Sequence, residues 1–332
     1  HGRLHLRIGG HKLILRGDDS DLNADIAVMR PGALLRRLFW RGDLGFAEAF
    51  IAGEWTSTDP AALLELLAVN LDAYEPSDRR SRLTQLAVGV RHWLNRNNRR
   101  GSRRNIAAHY DLGNDFYAQW LDSTMTYSAA VFDQGDPLDV AQRRKYAQML
   151  ALLDASPGQH ILEIGCGWGG FAEYAARRGF RVTGITLSRE QPVYAQARIA
   201  KAGLAERVQL RVCDYRDFEG QVDHIVSIEM FEHMKNYERL LAKVAEHLRE
   251  DGLLFIHVFA HRKYAYHYIA EGPDDWMARY FFTGGTMPSY GLFEAFDDHL
   301  RVEEKWRVPG GHYRDTCEDW LRLMDSRAEE VR

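Results

Sequence analysis

Glu163 lies just ahead of Gly165, Gly167, Gly169 and Gly170 in the stretch HILEIGCGWGG, residues 160–170. Residues without a Cβ let the backbone bend beneath a ligand, and a helix that starts there presents N–H groups with no partner of their own. The spacing Gly165, Gly167, Gly170 satisfies G-x-G-x-x-G, a pattern shared by dinucleotide binders and methyltransferases. A second group stands in SIEMFEHMKNY, residues 227–237, where Glu229, Glu232 and His233 offer two carboxylates and an imidazole, the usual pieces of proton transfer. Polar residues also follow short apolar runs at Thr186 and Gln191 in TLSREQ and at Asp214 and Tyr215 in CDYRD.

The elements that would position these groups follow from the apolar periodicity. Strands are expected at 160–164, 181–186, 207–212, 222–228 and 252–259, and helices at 169–178, 189–201 and 237–248, with a further helix at 140–153 leading in. This alternation predicts an α/β fold: a doubly wound, mainly parallel sheet with helices on both faces and a ligand at the carboxyl ends of the strands. In a nicotinamide-binding fold an acidic residue about 20 positions on would hold the ribose, but the strand at 181–186 ends in Thr186. The carboxylate sits at Glu163 instead. That suits the cationic amino acid end of S-adenosylmethionine better than a pyrophosphate. Thr186 and Gln191 are then expected at the ribose. Asp214 and Tyr215 are expected at the adenine edge, where a carboxylate accepts from the exocyclic amine. Glu229, Glu232 and His233 fall at the mouth of the same cleft, although acids at a strand end can also be plain surface.

With 332 residues the chain has room for one large α/β domain and a smaller partner. The expected division is an α+β unit at 1–75, a basic linker helix at 76–104 and the catalytic domain at 105–332, with a lid at 105–135. The net charge of −4 hides an asymmetry: the first 104 residues carry 17 Lys/Arg against 12 Asp/Glu, and the remainder is acidic. A basic front suggests an anionic partner, either a membrane surface or nucleic acid. Nucleic acid is disfavoured because aromatic residues in the basic stretch are too sparse for a stacking platform. Cys166, Cys213 and Cys317 are far apart and lack metal-ligand spacing, as a reducing cytoplasm permits. There is no recognisable signal peptide and no apolar run near the length of about 18 residues that a span needs. A soluble or peripheral, cytoplasmic protein is expected.

Residues 3–16 read as a β-hairpin turning at Gly9-Gly10, followed by a strand at 24–29. Pro31 opens a helix expected to carry Leu34, Leu35, Leu38 and Phe39 on one face, and another helix follows at 63–71. The apolar residues of GDLGFAEAFIAGEW, 42–55, make either an ordinary small core or a module that meets acyl chains while its basic rim rests on headgroups. The stretch 79–104, with nine arginines, is likewise either a solvated linker or an electrostatic membrane contact. Residues 109–132, dense in aromatics, can fold over the cofactor, with Tyr127 and Ser128 against the methionine carboxylate.

HYDLGNDFY, the Tyr127-Ser128 pair, EIGCGWGG, TLSREQ and FEH together resemble the cyclopropane-fatty-acid synthase family of S-adenosylmethionine-dependent methyltransferases. The similarity extends over nearly the whole chain, including a front domain like the lipid-binding domain of bacterial members. The resemblance implies a class I methyltransferase fold and methyl transfer to the double bond of an acyl chain in a membrane phospholipid. It also implies a bicarbonate ion as base and a possible homodimer. Carried over by position, the bicarbonate shell is Glu232, His257 in LLFIHVF and Tyr313 in GGHYRDT; Ala129 stands where the family usually has a cysteine, and Glu229 where glycine is usual. SIEMFEHMKNY and RYFFTGGTMPS also resemble the plant coclaurine-type N-methyltransferases, in which the Glu and His of the FEH stretch help remove a proton from an amine. An alkene acceptor becomes a carbocation on methylation, so aromatic faces are expected nearby, with Tyr264, Tyr266, Tyr268, Trp276, Tyr280, Phe281 and Phe282 as candidates.

Overall fold

The computed structural model of the chain describes residues 1–18, 21–70, 113–268, 282 and 284–331. The linker expected at 76–104, the front of the lid at 105–112, and Trp276, Tyr280 and Phe281 lie outside the described residues. Two units are present: residues 1–96 with 269–283, and residues 97–268 with 284–332.

In the first unit, β1 (Arg3–Ile8) and β2 (His11–Arg16) form the expected antiparallel hairpin. Gly9 (φ +52°) and Gly10 (φ +88°) supply the left-handed turn that suits the twist of the two strands. β3 (Asn23–Val28) pairs parallel to β1, and β4 (Trp55–Thr56) antiparallel to β3, giving the order β2-β1-β3-β4. α1 (Pro31–Ile51) begins with Pro31 and kinks at Gly42. α2 (Pro60–Val69) starts where the Asp59 side chain accepts from the Ala62 N–H at 2.9 Å. Ile26, Val28, Leu34, Ala49, Trp55, Leu63 and Leu66 make the core, so the small-core reading of this stretch holds for Trp55. The single apolar face expected for α1 does not: Leu34 is buried, but Leu35 is 65% and Phe39 80% exposed. Positions one apart are about 100° apart on a helix, and only Leu34 and Leu38 turn toward the sheet.

The second unit contains α3 (Asn114–Trp120), α4 (Leu138–Leu152), β5 (His160–Ile164), α5 (Gly170–Arg177), β6 (Arg181–Thr186), α6 (Glu190–Lys201), β7 (Val208–Val212), β8 (Val222–Ile228), α7 (Tyr237–His247), β9 (Leu248–His257) and α8 (Gly310–Ser326). Five strands pair in the order β7-β6-β5-β8-β9, every pair parallel. The expected strands are found, with β9 starting earlier because a register irregularity between Val222 and His224 admits Leu248 to the sheet. Alternation along each strand sends side chains to two cores. Ile161, Val182, Leu210 and Val226 meet Met149, Phe171 and Ile199 on one face. Leu162, Ile164, Ile185 and Ile225 meet Leu240, Leu241 and Val244 on the other. The winding direction reverses between β5 and β8, and the crevice at that reversal opens at their carboxyl ends.

Candidate active site

The turn after β5 takes left-handed backbone at Gly165 (φ +89°), Gly167 (φ +48°) and Gly169 (φ +78°), and α5 begins at Gly170. The N–H groups of Gly165 and Cys166 donate to the Ile185 carbonyl at 2.9 and 3.1 Å, which ties the turn to β6. A Cβ on Gly167 would meet no atom within 4 Å, so the turn is open above it. Glu163 is 3% exposed and its Oε2 has no partner among the described residues. Burial pushes its carboxyl well above the usual range, against the pull of Lys145. A cationic ligand group would both pair that oxygen and restore the charge.

At the tip of β6, the Thr186 hydroxyl donates to Gln191 Oε1 at 3.1 Å and accepts from the Ser188 N–H at 3.2 Å. Gln191 is thus held at the start of α6. Asp214, at the tip of β7, is 3% exposed and is already occupied: it accepts from the Arg216 N–H at 3.0 Å and from its guanidinium at 2.8 and 2.5 Å. Tyr215 beside it is partly buried.

In the segment before α4, Ser128 is buried. Its Oγ accepts from Lys145 Nζ at 2.6 Å, and its carbonyl from Gln142 Nε2 at 2.8 Å. Tyr127 packs among Tyr117, Trp120 and Trp320, with ring centroids 5.8, 5.4 and 5.2 Å away. Of the aromatic residues expected after β9, Tyr268 and Phe282 are buried, whereas Tyr264 and Tyr266 are 67% and 47% exposed.

The other side of the crevice is built by the tips of β8 and β9. Glu229 has φ +48°, a conformation that costs a non-glycine residue on the order of 1 kcal/mol or more. Glycine would sit there without strain, so the carboxylate is kept at a conformational cost. Its N–H donates to the His257 carbonyl at 2.7 Å, and its Oε1 accepts from the Ala129 N–H at 2.8 Å. Burial pushes the Glu229 carboxyl up, and Lys145 and the Ala129 N–H oppose the shift. Glu232 is fully buried; its Oε1 accepts from the Phe259 N–H at 2.7 Å and its Oε2 has no partner. Burial, reinforced by Glu229, pushes it up to about 8, so it is mostly a neutral acid near pH 7. His257 is pushed down to about 3 by burial and by Lys145, with its Nδ1 unpartnered, so it is a neutral imidazole. Tyr313, on α8, packs edge-on against Phe259 at 4.9 Å. Burial, then Cys317 and Glu229, raise its hydroxyl. His233 lies in the short turn with Glu232, its N–H donating to the Met230 carbonyl at 3.0 Å.

Lys145 is absent from the residues singled out by sequence. It is 2% exposed, on α4, and donates to Ser128 Oγ and, at 2.8 Å, to the Ala129 carbonyl. A signal was available: Ala141, Lys145 and Met149 are four apart, so the lysine falls on the buried stripe of its helix.

A parallel sheet wound in this order, with a glycine turn and an acid at the tip of its first strand, agrees with the class I methyltransferase fold, which solved relatives share. The family described as mycolic acid cyclopropane synthetase matches residues 97–332, and the chain belongs to that family. Over 317 residues it is 37% identical to the tuberculostearic acid methyltransferase UfaA1 of Mycobacterium tuberculosis, with 90% of this chain and 73% of that one covered. It is 33% identical to the cyclopropane-fatty-acyl-phospholipid synthase of Escherichia coli K12, with 90% and 75% covered. Among solved structures, coclaurine N-methyltransferase bound to N-methylheliamine and SAH aligns with a TM-score of 0.62 at 28% identity, over 81% of this chain and 85% of that one. The chain is therefore an S-adenosylmethionine-dependent methyltransferase.

Proposed function

We propose that the protein methylates the double bond of an unsaturated acyl chain carried by a membrane phospholipid, working peripherally at the inner membrane face. The observation that carries this reading is the exposed apolar side chains of α1: Leu35, Phe39 and Trp40 before the Gly42 kink and Ile51 after it are 65%, 80%, 69% and 80% exposed. Exposed Arg30 and Arg36 lie beside them. Apolar side chains next to arginines suit a headgroup boundary. No helix among the described residues is long and apolar enough to cross a membrane. The two relatives named for fatty-acyl substrates each match 90% of the chain, which supports the same reading.

In the reaction the C–S bond of the sulfonium breaks and its electron pair stays on sulfur, while the alkene π pair forms the new C–C bond. A cation remains on the neighbouring carbon. Glu229, with Oε1 fixed by the Ala129 N–H, offers negative charge to that cation, and the rings around Tyr127 contribute about 0.5–2 kcal/mol by cation–π attraction and exclude water. Loss of a proton from the new methyl closes a three-membered ring; loss from an adjacent position leaves an alkene. The buried atoms without partners, Glu232 Oε2 and His257 Nδ1, fit a small oxyanion such as bicarbonate. Glu232, His257 and Tyr313 would hold that ion, and when bound it supplies a base.

A second reading, N-methylation of an amine, is supported by Glu229, Glu232 and His233 together and by the likeness to coclaurine N-methyltransferase. An ammonium acceptor has no lone pair until a base such as Glu229 or His233 takes its proton, Glu232 being mostly neutral near pH 7. Enzyme, methyl-labelled S-adenosylmethionine and parallel tubes of unsaturated phospholipid vesicles and secondary amines separate the two by mass spectrometry. Label in the acyl chain is expected, and label only in amines overturns the lipid reading.

A further inference from the structure

Burying an ammonium without compensation is costly, so a lysine in a protein interior is retained only with partners. The hydrogen bonds of Lys145 go to neutral acceptors, Ser128 Oγ and the Ala129 carbonyl. Burial pushes its amine down to about 8, and acids on three other segments oppose that shift: Glu229 after β8, Asp122 ahead of α4 and Glu163 on β5, each itself pushed up by burial. Asp122 is already taken by the Thr124 N–H at 2.8 Å and the Thr124 hydroxyl at 2.9 Å. Glu163 belongs to the cofactor turn. Glu229 is reached through Ala129, which accepts from Lys145 with its carbonyl and donates to Glu229 with its N–H.

We propose that Lys145 is a positioning residue for methyl transfer: its ammonium clamps the 127–130 segment and supplies the positive charge that holds Glu229 as a carboxylate facing the acceptor. The inference rests on the reading of the β8 and β9 tips as the acceptor side, not on which acceptor is used.

The groups that act on Glu229 or feel its charge are Lys145 from α4, the Ala129 N–H and Tyr127 from the segment before it, Glu232 from the turn after β8, and Tyr313 and Cys317 from α8. Lys145 is the cation among them. Burial favours neutral Glu229 and Lys145 opposes this. Removing the ammonium therefore leaves Glu229 protonated to higher pH, whereas arginine preserves the charge at all working pH.

The test is a titration by carbon NMR of protein labelled at glutamate carboxyls, with the Glu229 signal assigned from its loss in Glu229→Gln, alongside the pH profile of methyl transfer. Lys145→Met should move the Glu229 midpoint up by about one pH unit or more and cut the rate at pH 7 by about tenfold, with partial recovery at higher pH. Lys145→Arg should leave the midpoint near that of the wild type. An unmoved midpoint in Lys145→Met, or a rate loss equal at every pH, overturns the proposal. Should Lys145→Met fail to fold, Lys145→Met/Glu229→Gln removes both charges and should melt close to the wild type; melting as low as the single variant overturns the proposal too. The titration needs no acceptor, so failure to methylate any lipid or amine counts against the function above and leaves this result standing.

Discussion

The tips of β5, β6 and β7 and the tips of β8 and β9 belong to one sheet, yet they hold their polar groups differently. On the first side Thr186 is bonded to Gln191 and Asp214 to Arg216, and Glu163 alone keeps an unpaired oxygen. These partners are neighbours in sequence. On the second side Glu229, Glu232 and His257 depend on N–H groups and charges delivered by Ala129, Phe259 and Lys145. Two unpartnered buried atoms remain there, and Glu229 carries a strained backbone. The first side is a local motif, and the second a network drawn from four segments; on the proposed function the first meets the cofactor and the second the acceptor.

Breaking the first side should have the largest effect. Gly165 combines φ +89° with a would-be Cβ 3.1 Å from Met230, so Gly165→Val should weaken S-adenosylmethionine binding by about 100-fold or more in calorimetry. A subtler check uses the protonation of Glu163. Burial raises its carboxyl well above the usual range, and a cationic ligand favours the charged form. Calorimetry in buffers of different ionisation enthalpy should therefore show proton release on cofactor binding, and less of it in Glu163→Gln.

The second side should show its cost in stability. Glu232 titrates at about 8 when folded, against about 4.3 for a free glutamate. Between those values the folded state keeps a proton that the unfolded chain has released, so stability falls as pH rises through that window. Glu232→Gln should then raise stability by on the order of 1–3 kcal/mol at pH 9 and by much less at pH 5, read as a shift in Tm, while slowing methyl transfer. Smallest in effect on the chemistry are the exposed apolar side chains of α1. Phe39→Ser with Trp40→Ser should lower partitioning to anionic vesicles about tenfold and leave cofactor affinity unchanged.

The same contrast explains what the sequence made legible. The strands and helices around Gly165 follow from apolar periodicity and a glycine turn, both of which are local. The places of Glu163 and Thr186 at strand tips and of Gln191 at the start of α6 follow from the same pattern. Lys145 escaped because its meaning lies in Ser128, Ala129 and Glu229, up to 84 positions away. Ser128 was expected at the methionine carboxylate, and the bond its oxygen accepts from Lys145 was not visible from the motif. The face of α1 was misread because Leu34 and Leu35 are equally apolar, and only packing against the sheet chooses between them.

The division of labour between the two sides is tested most directly by measuring cofactor affinity and single-turnover methyl transfer on Glu163→Gln and Glu229→Gln in parallel. Glu229→Gln should bind S-adenosylmethionine within about threefold of the wild type and transfer the methyl about 100-fold more slowly; Glu163→Gln should bind about 30-fold more weakly and, once saturated, transfer within about tenfold. If Glu229→Gln loses cofactor affinity as steeply as it loses rate, the two sides are one site and the account is contradicted.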